Sequence, residues 1–330
     1  MGPYPVDREG MASMTNVLIL INLPAPTRNK YYDYLRQKFP ELTVNIVDHH
    51  SKVGPYIGAA DVIICFRPDI ADHVLKEGKN LKWIQSCNVG LDNLIDLPSM
   101  RSDIILTNMV GIQVVPMAEA ALTVIFALSR GLPKTLRNQD RHVWERWQIH
   151  VVQDKTVGIF GVGRIGAVLA GKCKALGMKV IGIDPAKPNV AACDRMVGWN
   201  EAAAVLPELD FVVSYVPSEP ETRGLMGAAF FAAMKPSAYF INLGREAVVD
   251  DAALIAALQQ NRIAGAALDV FAEEPLPENH PFWSLENLII TPHLGGFADD
   301  YVERSLPTID ENMRKFLAGD TQHMRNLIKH

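Results

Sequence analysis

A chain of 330 residues is long for one hydrophobic core, so two domains are the natural starting point. Its hydrophobic share of 48% and charged share of 21% are those of an ordinary globular protein, and a net charge of −5 without a basic run argues against nucleic acid or an anionic membrane as partner. The four cysteines (Cys65, Cys87, Cys173 and Cys193) show no C-x-x-C pair and no zinc-like spacing, so they read as reduced thiols of a cytoplasmic protein.

In chain order, Met1–Ser13 has no periodicity and reads as a frayed end, or a leader ahead of Met14. The apolar run Val17–Ile21 is too short for a signal peptide and follows Asp7 and Glu9 rather than a basic cluster, so it is the first strand candidate. No segment approaches the roughly 20 apolar residues that cross a bilayer. Further strand candidates are Leu42–Val47, Asp61–Phe66, Lys82–Gln85 and Ile104–Leu106, with helices Asn29–Phe39 and Ile70–Glu77 between them. This alternation predicts a small doubly wound parallel sheet.

The character then changes. Pro116 opens an almost wholly apolar helix, Met117–Arg130, which must be buried between layers or between subunits. A helix over Lys134–Trp147 follows, basic and carrying Trp144 and Trp147. The sheet pattern restarts with Thr156–Phe160, Lys179–Asp184, Asp210–Tyr215, Ala238–Asn242, Ile263–Asp269 and Leu288–Thr291. The end of the chain is helical and brings no sheet of its own, so it packs back on the first domain. The expected plan is therefore discontinuous: residues 1–114 and 296–330 form a flavodoxin-like substrate domain, and 115–295 an inserted Rossmann domain. Both are doubly wound α/β units.

Between the first two strands of the second domain lies Gly161-Val162-Gly163-Arg164-Ile165-Gly166, a G-x-G-x-x-G turn with a buried strand before it and a helix after it. Gly161 permits a tight turn, Gly163 a close approach of backbone to pyrophosphate, and Gly166 close packing of helix on strand. The helix N-terminus then presents its N–H groups to the phosphates. The next strand ends in Asp184, 18 residues beyond Gly166. An acid there accepts hydrogen bonds from a ribose and repels the extra phosphate of NADP, so the expected cofactor is NAD(H). The plainer alternative is a structural turn with a solvated aspartate.

Three polar residues stand at or just beyond later strand ends, where open α/β sheets present their sites. Arg245 follows Asn242-Leu243-Gly244, Glu274 follows Asp269-Val270-Phe271-Ala272-Glu273, and His293 follows Thr291-Pro292. These segments, with Pro275-Leu276-Pro277 and Leu294-Gly295-Gly296, resemble the signature blocks of the D-isomer-specific 2-hydroxyacid dehydrogenases, among which the glyoxylate/hydroxypyruvate reductases are the nearest type. The similarity is densest over 155–296 and weaker from 60 to 125. It implies an NAD-dependent oxidoreductase in which His293 is the general acid/base, Glu274 its partner, and Arg245 the cation that binds the substrate carboxylate and polarises its carbonyl. The chemistry suits them: imidazole titrates near neutral pH, a carboxylate beside it favours imidazolium, and guanidinium stays charged and grips a carboxylate with two bonds. Singly, each has a duller reading as a loop or surface residue.

The resemblance also implies cofactor contacts from Arg164, Ile165, Val216, Pro217, Thr222, Leu243, Gly244, Asp269 and Gly295, although a strand-end aspartate such as Asp269 can equally cap the next turn. On the substrate side, the loop Ser86-Cys87-Asn88-Val89-Gly90-Leu91-Asp92 is a candidate carboxylate cradle through the amides of Val89 and Gly90. Asn88 stands where many relatives have glycine; the Asn-Val-Gly version resembles the D-lactate dehydrogenase branch. Arg67 occupies the place of a substrate-contacting arginine in some relatives, or is a surface residue before Pro68. Trp144 and Trp147 receive no role.

No histidine pattern suggests a metal. A homodimer through the NAD-binding domain is implied, and the 34 residues after Gly296 are too few for an appended regulatory domain. The alternatives are a formate or phosphite dehydrogenase of the same fold, or an NAD(H)-sensing protein like the corepressors that share it.

Overall fold

The computed structural model describes residues 14–66, 69–91, 94–186 and 189–329. Met1–Ser13 and Arg67 lie outside the described residues. The chain divides into two units, one of residues 1–112 and 299–330, the other of 113–298.

In the first unit, strands β1 (Asn16–Leu20), β2 (Thr43–Val47), β3 (Val62–Cys65), β4 (Trp83–Ser86) and β5 (Ile105–Thr107) run parallel in the order β2-β1-β3-β4-β5. Successive residues of a strand face opposite sides. Val17, Ile19 and Ile64 therefore pack with Tyr31 and Leu35 of helix Ala25–Lys38 and with Ile309 and Met313 of helix Tyr301–Leu317. Leu18, Leu20 and Ile63 pack instead with Ile57, Val74 and Leu75 on the other face. Because both faces are covered, the central strands β1 and β3 read as nearly unbroken apolar runs. One sequence expectation fails here: the chain end does add to the sheet, since Leu327–Ile328 pairs antiparallel with β5. Two residues are too short for any periodic signal.

The second unit holds β6 (Thr156–Phe160), β7 (Lys179–Ile183), β8 (Arg195–Val197), β9 (Phe211–Ser214), β10 (Tyr239–Asn242), β11 (Gly265–Leu268) and β12 (Leu288–Ile290). All are parallel, in the order β8-β7-β6-β9-β10-β11-β12. This is the doubly wound Rossmann arrangement, whose order reverses between β6 and β9 and opens a crevice at the carboxyl ends of those strands. One face carries helices Val114–Ser129 and Arg164–Ala175, the other Ala228–Ala233 and Asp251–Gln259.

Pro116 sits in the first turn of helix Val114–Ser129, where its missing N–H costs no bond. Ala118, Ala121 and Ile125 face the sheet, whereas Val115 and Phe126 stay exposed. The next helix ends at Asp140, not Trp147. The chain leaves it through His142, at φ 54°, a left-handed conformation that cannot continue an α-helix. Among the described residues, no single helix is long and apolar enough to cross a membrane.

Candidate active site

Every candidate residue of the second unit lies at or beyond the carboxyl end of a strand. After β6, Gly161 turns at φ 86°, and a Cβ there would stand 3.0 Å from the Tyr215 carbonyl. A Cβ at Gly166 would approach the Gly161 carbonyl oxygen to 2.5 Å, so only glycine lets the helix start this close to the strand. Gly163 differs: a Cβ there would meet nothing within 4 Å, which leaves open backbone beside the N-terminus of helix Arg164–Ala175. Open backbone at a helix N-terminus is a seat for phosphate. Asp184, after β7, accepts from Val162 N–H at 2.9 Å through one oxygen and from Ala186 N–H at 2.8 Å through the other. It thus ties the glycine turn to β7 while each oxygen keeps a further lone pair.

The loop after β9 takes its shape from Thr222, whose hydroxyl accepts from Glu219 N–H at 2.8 Å and donates to the Pro217 carbonyl at 2.6 Å. Val216 is buried in the core beneath that loop. After β10, buried Asn242 brackets the turn that carries Arg245: its Oδ1 accepts from Gly244 N–H at 3.1 Å and its Nδ2 donates to the Arg245 carbonyl at 3.0 Å. Leu243 beside it is buried, and a Cβ on Gly244 would lie 2.9 Å from the Val216 carbonyl oxygen, so the β9 and β10 loops are in contact. The Arg245 guanidinium donates from Nη1 to the Gly244 carbonyl at 3.0 Å.

Asp269, at the end of β11, is buried and accepts three hydrogen bonds: from Thr291 Oγ1 at 2.6 Å, Leu294 N–H at 2.9 Å and Gly295 N–H at 2.9 Å. All three donors flank His293, which sits at φ 52°. A left-handed histidine costs about 1 kcal/mol, and three bonds to one buried carboxylate hold it there. The imidazole Nδ1 lies 2.8 Å from Glu274 Oε2, and the other carboxylate oxygen accepts from Phe271 N–H at 3.0 Å. Glu274 is therefore fixed at both oxygens. Donation from Nδ1 to the carboxylate leaves Nε2 as the nitrogen that exchanges a proton. Both side chains are half exposed, so the pair is open to a ligand. Of the two adjacent glutamates, it is Glu274 that meets the ring.

In the first unit, the loop after β4 is pinned through its carbonyls. The Asn88 carbonyl accepts from Met109 N–H at 2.9 Å, and the Val89 carbonyl from Asn108 Nδ2 at 2.8 Å. In a trans peptide N–H and C=O point opposite ways, so these bonds turn the N–H groups of Val89 and Gly90 away from their anchors. Among the described residues, neither N–H meets a hydrogen-bond acceptor. Two adjacent N–H groups without a protein acceptor are available to an anion. Sequence reasoning did not single out Asn108 or the bracing parts of Thr222 and Asn242. Their only signal was a polar residue at a strand end or in a turn. Among the described residues, no group of histidine, cysteine or carboxylate side chains could hold a metal.

Residues 122–295 match the family described as D-isomer specific 2-hydroxyacid dehydrogenase, NAD binding domain. The D-3-phosphoglycerate dehydrogenase of Synechocystis is 35% identical over 253 residues, covering 76% of this chain and 45% of that protein. The (S)-sulfolactate dehydrogenase of Chromohalobacter salexigens is 36% identical over 269 residues, 79% of this chain and 85% of the relative. The chain spans about half the length of the D-3-phosphoglycerate dehydrogenases it matches. Among solved structures, a D-isomer specific 2-hydroxyacid dehydrogenase family protein from Aeromonas salmonicida superposes with a TM-score of 0.85 at 31% identity, over 96% of this chain and 99% of the other. An NADPH-dependent glyoxylate/hydroxypyruvate reductase from Sinorhizobium meliloti, in complex with NADP and sulfate, gives 0.80 at 25% identity over 95% and 98%. This chain belongs to the D-isomer specific 2-hydroxyacid dehydrogenase family, whose members are nicotinamide-dependent oxidoreductases.

Proposed function

We propose that this protein is an NADH-dependent reductase of small 2-oxo acids, of the glyoxylate or hydroxypyruvate type, interconverting them with D-2-hydroxy acids. The observation that carries the reading is the Glu274–His293 pair at 2.8 Å, held by Asp269 on the strand next to the one that presents Arg245. Bound NADH supplies the hydride. Arg245 is assigned to the substrate carboxylate and carbonyl, and the Val89 and Gly90 amides are assigned to carboxylate binding. His293 delivers a proton from Nε2 to the carbonyl oxygen as negative charge grows there, while Glu274 accepts from Nδ1–H throughout, orienting the ring and leaving it as the Nδ1–H tautomer after the transfer. In the reverse direction His293 takes that proton back.

Residues 115–295 act as the NAD-binding domain, with the pyrophosphate on the Gly161–Gly166 turn. Residues 1–114 and 296–330 act as the substrate domain. Arg164, Ile165, Val216, Pro217, Thr222, Leu243, Gly244 and Gly295 shape the cofactor seat. Asp269 serves it by fixing the loop of His293. Preference for NADH over NADPH rests on Asp184, which puts a carboxylate where the extra phosphate would sit. The free thiols of Cys65, Cys87, Cys173 and Cys193 fit a reducing, cytoplasmic setting.

The test is nicotinamide absorbance followed across a panel of 2-oxo acids with each reduced cofactor. The expected result is NADH consumption on at least one acid and at least tenfold lower kcat/KM with NADPH. Tight NADH binding without turnover on any acid overturns the reading and leaves a binding role. Equal use of NADPH removes the part given to Asp184.

A further inference from the structure

Tyr301 opens helix Tyr301–Leu317, eight residues beyond His293. It is buried, its ring lies 5.7 Å from that of Phe66, and its hydroxyl donates to the carbonyl of Cys87. Cys87 stands at the entrance of the Asn88–Gly90 loop. The N–H of the same Cys87–Asn88 peptide donates to Ser86 Oγ at 3.1 Å. This one peptide is thus gripped at both edges, by Tyr301 on the oxygen and Ser86 on the nitrogen. The next two carbonyls are held by Met109 and Asn108.

The Tyr301 grip is rigid because its helix is. Ser305, one turn on, accepts or donates a bond at 3.1 Å with the hydroxyl of Tyr31, on the packed face of helix Ala25–Lys38. Val302, Ile309 and Met313 fill the core beneath. The peptide before the unsatisfied amides is the point where the loop could rotate, because a net change of torsion at Cys87 or Asn88 reorients the peptides that follow. We propose that Tyr301 is a positioning residue for the substrate: its hydroxyl fixes the Cys87–Asn88 peptide and so aims the Val89 and Gly90 amides at a carboxylate. This rests on the reading that those amides receive the carboxylate of a 2-oxo acid.

The test is Tyr301→Phe in the full chain, which keeps the ring and removes the donor. The amide exchange of Asn88 and Met109, whose bonds depend on the pose of the loop, is expected to accelerate at least fivefold. KM for the best 2-oxo acid should rise about tenfold, with kcat and NADH affinity within twofold. Ser86→Ala, which releases the other edge of the same peptide, should shift exchange and KM in the same direction and guards against a folding defect in the first variant. Unchanged exchange in both variants overturns the clamp, whatever the substrate. Faster exchange with unchanged KM overturns the link to substrate and removes the carboxylate from Val89 and Gly90. Losses of kcat, KM and NADH affinity in proportion to a lowered Tm overturn it as well, since they report a structural role alone. A wild-type protein with no turnover on any acid defeats the function proposed above, and exchange still decides the clamp.

Discussion

His293 is the residue on which chemistry and backbone strain coincide. A left-handed backbone at a non-glycine residue persists only where its surroundings over-determine it, and here three bonds to Asp269 fix the flanking residues while Glu274 holds the ring. Replacing the ring should therefore cost chemistry rather than cofactor binding. His293→Asn is expected to lower kcat by roughly 10²- to 10⁴-fold, the usual worth of a positioned acid/base, with the Kd for NADH within twofold by fluorescence titration. Retention of wild-type turnover removes His293 from the mechanism. The residues proposed for chemical roles are legible in the sequence because their side chains are chemically distinctive and stand in spaced motifs. The residues that hold them are less so. Asp269 could be read from sequence equally as a cofactor contact or a cap, and the donors that converge on it make it a brace of the His293 loop. Asn108 and Tyr301 act through a carbonyl of another segment, a contact that no spacing encodes.

At the scale of elements, legibility follows burial. β6 and β9 are central and covered on both sides, so unbroken apolar runs announce them. The edge strand β8 has three residues and begins with Arg195, which gives periodicity nothing to repeat. The Lys134–Trp147 expectation overran because charged and aromatic residues are acceptable in a helix, and the left-handed turn at His142 has no glycine to mark it. One element junction also carries a pH dependence. After β2, the ring of His50 lies 4.0 Å from that of His49 and 5.1 Å from that of His73, which begins the following helix turn. Among the described residues, His50 Nδ1 is buried without a partner. Burial first, then the charges of His49 and His73, hold the His50 imidazole below its ordinary range. The unfolded chain therefore binds this proton more readily than the folded one. The stability His50 contributes is complete above the unfolded value of about 6.5 and is lost as pH falls below it. Chemical denaturation between pH 7.5 and 5 should show a loss of stability that His50→Gln reduces. Identical slopes for the two proteins refute this account.

For the whole molecule, the telling feature is an apolar belt confined to the second unit. Helix Val114–Ser129 covers the sheet with one face and leaves Phe126 on the other. Leu132 and Leu136 follow it, and Trp144 is 95% exposed beyond His142. Lys134 lies over the Trp147 ring at 4.7 Å, so that indole is partly occupied while Trp144 is not. An almost wholly apolar helix that satisfies only one side within its own unit needs a second surface. A second copy supplies it most simply, since a twofold axis through the belt would set each apolar residue against its equivalent patch. If the chain pairs as its sequence leads one to expect, this belt is the seat to test. Light scattering should give the mass of two chains at micromolar concentration, and Tm should rise with protein concentration, as it does when folding and association are linked. Leu136→Lys, which buries a charge at the middle of that seat, should shift the protein toward single chains and flatten the concentration dependence, while NADH binding to each chain persists. A wild-type protein that scatters as one chain at every concentration excludes the belt as a dimer surface.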